Sequence, residues 1–432
     1  MSENLRLLIA LGLALAWILW VYRIFKQENK TKASFSDEQQ TVVLYASQSG
    51  QSFSLAKKLA SSLENAPLLP LNKVTSQSLQ LVQKVYLFVS TYGDGESPDN
   101  GRGFIHQLKK LNKTALQHLE FELTALGDSR YPEFCAFGYE VFNQLVDCGA
   151  KPVNSIQCLD ANMPQSHERI QSSGNTSRIT LEKRTHLNPA SQSEGLFLLE
   201  FKTENCQWEA GDIVDIYVPD PDNQERYLHP RSYSIASAYE GKKLKLIVRL
   251  QKRSDGTLGH ASGYLTQLMV PGNALPVNIV ENPMCKITDS QVPLLLIGAG
   301  SGLAGLVGQI ETRAYTKQKI GNIGPIWLIY GERDPELDLP LHEKLLNWQQ
   351  EGVLTIVDRA FSRNPAKSQY VQDILLEKAS SIEEFLGNNG HIYLCGSKDK
   401  MGDSVDKAIS RILGEAGKEK MIQSTRYHRD LY

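Results

Sequence analysis

Between His229 and Ser237 the chain reads His-Pro-Arg-Ser-Tyr-Ser-Ile-Ala-Ser, which puts three kinds of chemistry side by side. Arg231 offers a planar fork of donors that matches a pyrophosphate. Tyr233 offers a flat ring that can stack on another flat ring, and Ser234 a short hydroxyl that can reach a ring nitrogen. Side chains alternate along a strand, so Arg231 and Tyr233 share one face and Ser234 takes the other. At least one contact must therefore be made from a strand end or bend. Alone, the segment reads equally as an amphipathic strand with one arginine; the turns elsewhere in the chain weigh against that.

Thr41–Ala46 reads as a buried strand that runs into Ser47-Gln48-Ser49-Gly50-Gln51-Ser52 and then an apolar-periodic helix at 53–63. Strand, hydroxyl-rich turn and helix start form an anion cradle, because unpaired N–H groups and the helix dipole favour a phosphate. The same turn can simply cap a helix. No lysine completes a triphosphate loop. Lys84–Ser90 ends in Thr91-Tyr92-Gly93-Asp94-Gly95-Glu96, and a strand at 121–126 ends in Gly127-Asp128-Ser129-Arg130-Tyr131-Pro132-Glu133-Phe134. Ligands of open α/β sheets bind beyond the carboxyl ends of the strands. Tyr92 and Tyr131 can thus sandwich a flat ring whose edge is lined by Gly93, Gly95, Gly127 and Asp128, with loop packing as the plainer alternative. A strand at 292–297 enters Gly298-Ala299-Gly300-Ser301-Gly302 and a helix at 303–314, the turn a pyrophosphate needs. Two later turns, Tyr330-Gly-Glu-Arg333 and Ala360-Phe-Ser362-Arg363, also close strands, and a hydroxyl beside an arginine suits a dianion.

Arg-x-Tyr-Ser at 231–234, Gly259-His-Ala261-Ser262, the glycine turn and Cys395-Gly396 stand in the order found in the ferredoxin-reductase superfamily. With a flavodoxin-like half in front, residues 41–432 resemble the diflavin reductase family, which includes NADPH-cytochrome P450 reductase and the flavoprotein subunit of sulfite reductase. The resemblance implies an α/β and β-barrel multidomain fold. Its parts are a flavodoxin-like doubly wound FMN-binding domain at 41–160, a ferredoxin-reductase-like FAD barrel at 177–288 and a Rossmann-like NADP-binding domain at 289–432. Composition agrees: 161–176 is a polar linker rich in Ser, Gln and Asn, and short alternating segments at 196–201, 212–218 and 243–250 read as a small antiparallel barrel.

The resemblance also assigns roles. It gives Ser47, Gln48, Ser49, Gly50, Gln51 and Ser52 to the FMN phosphate. It gives Thr91, Tyr92, Gly93, Gly95, Leu126, Gly127, Asp128, Tyr131, Phe134 and Asp160 to the rest of the FMN site. Arg231, Tyr233, Ser234, Gly259, Ala261 and Ser262 fall to FAD, and Gly300, Ser301, Gly302, Arg333, Ser362, Arg363, Tyr370 and Gln372 to NADPH, whose 2′-phosphate takes Ser362, Arg363 and Tyr370. Tyr432 would cover the FAD ring and swing aside for nicotinamide, while Ser234, Cys395 and Asp430 surround the hydride path; Cys395 as an ordinary buried thiol is the alternative. Three departures stand out. The relatives' helical connecting domain shrinks here to 219–230, the family's lysine in the 2′-phosphate loop falls at Ser368 with Lys367 one place off, and Gly305 replaces a proline.

A chain of 432 residues exceeds what one core organises. Its formal net charge of −2 offers no basic footprint for nucleic acid. Six cysteines without a Cys-x-x-Cys pair or a His/Cys cluster imply reduced thiols and no metal. Residues 7–22 form an uncharged run that rises about 24 Å and is extended by Ile24, Phe25 and flanking arginines, the pattern of a membrane helix. A cleaved signal peptide is the rival. The basic residues Arg23, Lys26, Lys30 and Lys32 follow the run, which places the body on the cytoplasmic side of a cell inner membrane. Residues 1–40 are thus expected to be anchor and tether.

The implied function is a membrane-anchored, NADPH-dependent electron transferase working from NADPH to FAD to FMN to a partner protein. A haem protein is the first acceptor, with ferric-siderophore reduction through a membrane partner or a sulfite reductase partner as alternatives. Asp94, Glu96, Asp99, Asp128 and Glu133 would steer a basic acceptor. A flavin-binding scaffold that delivers no electrons is the alternative of another class.

Overall fold

The computed structural model describes residues 40–63, 66–129, 131–160, 177–253 and 255–432. The run at 7–22 and the linker at 161–176 lie outside them. Among the described residues no helix is long and apolar enough to cross a membrane. The chain separates into two compact units: the described residues up to Ser47 with Leu55–Leu159, and Gln48–Ser54 with Asp160–Tyr432.

The first unit is a parallel sheet. Strands β1 (Thr41–Ala46), β2 (Leu68–Pro70), β3 (Lys84–Ser90), β4 (Glu120–Gly127) and β5 (Lys151–Pro152) lie in the order β2-β1-β3-β4-β5, and β6 (Gln157–Asp160) also pairs with β4. The order reverses at β1 and β3, so their carboxyl ends open a crevice. Strand β1 carries Val42, Val43 and Leu44 with no exposure, as a strand covered on both faces must. Helix α1 spans Gln51–Ser62, starting two residues before the apolar pattern because its first turn is built from the polar loop. Helix α2 (Ala136–Asp147) buries Phe137, Val141 and Leu145, one stripe at four-residue spacing, against the sheet.

Among its described residues the second unit holds two large sheets and one small hairpin. Strands β7 (Ser177–His186), β8 (Leu196–Glu204), β9 (Ile213–Ile216), β12 (Arg231–Ser234), β13 (Lys243–Arg249) and β14 (Ala274–Val280) form an antiparallel sheet in the order β12-β9-β14-β7-β8-β13. It is a near-barrel whose path stays open between β12 and β13. Just past β12, the Ala236 N–H donates to the Lys245 carbonyl at 2.8 Å and draws those ends together. Between β9 and β12 the chain makes only the hairpin β10 (Pro219–Asp220) and β11 (Asn223–Tyr227).

The other sheet is parallel: β15 (Leu294–Ala299), β16 (Ile326–Glu332), β17 (Ile356–Phe361), β18 (His391–Gly396) and β19 (Tyr427–Leu431) lie in the order β17-β16-β15-β18-β19. This order reverses between β15 and β18. Helix α3 (Leu303–Ile320) continues past the expected end at 314 and stops at Gly321, whose φ of 79° takes the left-handed cap. Helices α4 (His342–Gln350) and α5 (Asp403–Gln423) complete the layers used below.

Two contacts of α3 join these sheets. A Cβ at Gly308 would fall 2.6 Å from the Ile235 carbonyl oxygen, so the helix backbone lies directly on the chain leaving β12. One turn further on, Glu311 is buried and accepts from Lys245 Nζ at 2.9 Å, Lys344 Nζ at 2.6 Å and the Ala238 N–H at 3.2 Å. Burial pushes this carboxyl up, yet the two lysines hold it below its ordinary value. An ion buried this way is tolerated only while its partners stay in place, so the pairing fixes how β13, α3 and α4 meet.

Candidate functional site

Sheet register places the candidate groups of the second unit. Gly298 of β15 pairs with Cys395 of β18, and Cys395 pairs with Asp430 of β19, so glycine turn, thiol and carboxylate lie in one row at the carboxyl ends. Ser234 arrives from the near-barrel as the last residue of β12, a strand end of the kind at least one of the three contacts was expected to use. Its position is pinned from behind. The Trp208 indole N–H donates to the Ser237 carbonyl at 3.0 Å, and the Lys245 N–H to Ser237 Oγ at 3.1 Å.

These elements converge on a buried polar cage. Ser234 Oγ lies 3.8 Å from Cys395 Sγ, and the Cys395 thiol donates to Asp430 Oδ2 at 3.3 Å. Burial raises the thiol well above its ordinary range, so it stays protonated and donates. Burial likewise raises Asp430, against the hydrogen bonds from Ser234, Cys395 and Tyr393 that lower it. Tyr432, the last residue, is 58% exposed, and its hydroxyl lies 2.7 Å from Ser301 Oγ.

Next to the cage lies a cavity of about 370 Å³. Gly300, Ser301, Arg333, Ser362, Tyr370, Gln372 and Tyr432, all expected from sequence, line it. Arg363 is exposed on the same turn but outside the lining. Lys367 is turned away, paired with Glu377 at 3.0 Å, and Ser368 closes the loop by donating to the Ser362 carbonyl at 2.7 Å. Arg333 is held 2.8 Å from Glu194. Arg249, at the end of β13, was not foreseen. It lines the cavity and pairs with the buried Glu332 at 2.8 Å; no motif surrounds it, and only its place at a strand end could have drawn attention. Ser262 is buried and accepts from the Gln251 N–H at 3.1 Å, while Gly259 begins the short helix that carries Ala261. Tyr233 packs against the near-barrel core and Arg231 is exposed.

In the first unit, the Ser47 N–H donates to Asn100 Oδ1 at 2.8 Å. The hydroxyl of Ser47 and the Asn100 amide nitrogen are buried without a hydrogen-bond partner. Buried polar groups are nearly always satisfied, so these call for a polar ligand and fit a phosphate. Tyr92 begins a tight turn closed on Glu96 by two backbone bonds of 2.9 and 2.8 Å, with Gly93 and Gly95 inside it. Tyr131 is exposed beyond β4, and Leu126, Gly127 and Asp128 follow one another at that strand's end. Phe134 packs on the core, and Thr91 accepts the Phe137 N–H at 3.3 Å, capping α2. Of the acidic set, Asp99 is buried against Arg102 at 3.0 Å and does not belong to the exposed charge; Asp94, Glu96 and Glu133 do.

The flavodoxin family matches residues 43–171, and the oxidoreductase NAD-binding domain matches 296–407. The sulfite reductase (NADPH) flavoprotein alpha-component of Bacillus subtilis strain 168 is 23% identical, with 91% of this chain and 89% of the relative aligned. The chain belongs to the diflavin reductase family. The Vibrio vulnificus strain CMCP6 counterpart is 31% identical over 223 residues, covering 48% of this diflavin reductase and 36% of the relative. NADPH oxidoreductase A of Dictyostelium discoideum is 22% identical over 90% of this chain and 88% of its own. The Bacillus alignment runs over 543 residues against the 432 here, so that relative carries stretches this diflavin reductase lacks. The diflavin reductase is an oxidoreductase acting on NADPH, its cofactors are FMN, FAD and NADPH, and its activity is flavoprotein electron transfer.

Behind the cage two histidines stack. His428 donates from Nδ1 to the Met284 carbonyl at 2.7 Å, since a carbonyl can only accept, and its Nε2 lies 2.9 Å from His391 Nδ1. Burial, then the charges of His428, Arg426 and Arg313, push His391 down to about 4. The fold therefore favours neutral His391: its contribution is complete above the ordinary histidine range and is lost as pH falls from about 6.5 toward 4. Urea titrations of wild type and His391→Gln should show wild type losing about 1–2 kcal/mol more across that window, solvent screening reducing the effect of a half-buried ring. Parallel curves would mean that the pair carries no such linkage.

Proposed function

We propose that the chain is a membrane-anchored NADPH-dependent diflavin reductase that delivers single electrons to a haem protein at the cytoplasmic face of a cell inner membrane. The observation that carries the reductase half of this reading is the buried cage of Ser234, Cys395 and Asp430 beside a cavity that Tyr432 overhangs. The proposed domains are FMN at 41–160, FAD at 177–288 and NADP at 289–432. When bound, FAD takes a hydride from NADPH and FMN releases the electrons singly.

In this reading the turn Ser47–Ser52 holds the FMN phosphate, and Tyr92, Tyr131 and the loops that carry them, with Asp160, hold its ring. Arg231, Tyr233, Ser234, Gly259, Ala261 and Ser262 hold FAD. Gly300, Ser301, Gly302 and Arg333 take the nucleotide backbone, while Ser362, Arg363, Tyr370 and Gln372 take its adenosine end, without help from Lys367. The protein's own work is to exclude water at the cage, keep the thiol protonated and place a carboxylate where positive charge develops. Exposed Asp94, Glu96 and Glu133 beside the FMN loops favour a basic acceptor face. Ferric-siderophore reduction and a sulfite reductase partner remain the competing acceptors.

Purified protein should release FMN and FAD in equal amounts and bleach on addition of NADPH; FAD alone from intact protein would remove the two-flavin reading. Reduction of a cytochrome by the bleached protein, set against a siderophore and sulfite reductase, decides the acceptor. Deleting 1–32 should move the activity from the membrane fraction to the soluble fraction. Full-length protein that is soluble without detergent would remove the anchor.

Tyr432 tests the nucleotide site. Displacing its ring costs binding energy that a 2′-phosphate held by Ser362 and Arg363 offsets. Tyr432→Ala should therefore gain more with NADH than with NADPH, narrowing the ratio of their kcat/KM by at least about tenfold, or about 1.4 kcal/mol. An unchanged ratio would take Tyr432 out of the site.

A further inference from the structure

Tyr393 stands two residues before Cys395 on β18, so both side chains leave the same face. It is fully buried, and it faces Asp430 rather than packing passively: its hydroxyl donates to Asp430 Oδ2 at 3.1 Å, the atom that also receives the Cys395 thiol. Burial raises the phenol well above its ordinary range, so it too remains a donor. No lysine or arginine pairs with Asp430 among the described residues, which leaves hydrogen bonds to oppose the cost of burying its charge.

Room for this arrangement comes from α3. A Cβ at position 305 would lie 2.9 Å from Cys395 Sγ, 3.0 Å from Asp430 Oδ2 and 3.0 Å from the Tyr393 hydroxyl. Gly305 thus admits three polar groups to one point. On its far side the Tyr393 ring lies 6.4 Å from the His428 ring at 30°, which holds the phenol in place. Two donors on one oxygen fix the plane of a carboxylate and favour its ionised over its neutral form.

We propose that Tyr393 is a positioning residue of the hydride-transfer site: admitted by Gly305, its hydroxyl orients the Asp430 carboxylate and opposes its neutralisation. The proposal rests on reading the cage as that site, but the charge of Asp430 can be measured without turnover. The groups that face Asp430 are Tyr393 and Cys395 from β18, Ser234 from β12 and the phenol of Tyr432 just past β19, with only glycine backbone from α3; Tyr393 in turn meets Cys285 and His428.

The test is an infrared pH titration of the buried carboxyl in the full-length, flavin-loaded protein, the band being assigned by its loss in Asp430→Asn. Tyr393→Phe keeps the ring and should move that titration up by about one pH unit. Gly305→Ala keeps the hydroxyl but wedges it away from Oδ2, and should move it in the same direction; it decides the matter if Tyr393→Phe fails to fold. The acid limb of NADPH-driven bleaching should rise in parallel. An unchanged carboxyl titration overturns the proposal whatever the rates do. A shifted titration with an unmoved acid limb overturns the part Asp430 plays in hydride transfer while leaving its contact with Tyr393 intact. If wild type does not bleach, the diflavin reading fails, and the titration still decides whether Tyr393 controls the carboxylate.

Discussion

One face of α3 carries no side chains where the helix is most crowded, and the reductase unit depends on that bareness. At Gly305 the helix leaves space for a thiol, a carboxylate and a phenol; at Gly308 it lets the chain leaving β12 touch helix backbone. These positions are one turn apart and point the same way. Side chains there would hold the near-barrel away from the parallel sheet. Ser234 comes from one sheet and Cys395 and Asp430 from the other, so that separation would dissolve the cage.

Two buried carboxylates in this unit are handled in opposite ways. Glu311 is surrounded by lysines and held ionised, and it acts as a fixed joint between sheets. Asp430 has only neutral donors around it, which leaves its charge responsive to small changes nearby. A structural ion needs permanent partners, whereas a carboxylate with neutral donors alone can change its charge state.

Much of the fold could be read from residues alone. Strands β1 and β3 fall at their expected bounds because each runs without interruption into a polar or glycine-rich turn. Ser234 sits at a strand end, as at least one of the three contacts was expected to. Strand β2, only Leu68–Pro70, is too short to show a period. Side-chain pairings were invisible: Lys367 with Glu377, Asp99 with Arg102 and Arg249 with Glu332 depend on where loops and strand ends finish in space. Tyr393 was visible, two places before a cysteine already singled out, but its meaning required the register that brings β19 alongside β18.

The protonated state of Cys395 also bears on chemical durability. Peroxides and alkylating agents attack the thiolate, and they need access to it. Cys395 has no exposed surface, and its surroundings disfavour loss of the proton, so this sulfur is closed to oxidative damage. A protein that handles reducing equivalents can therefore keep this cysteine without a resolving partner or a repair pathway for it.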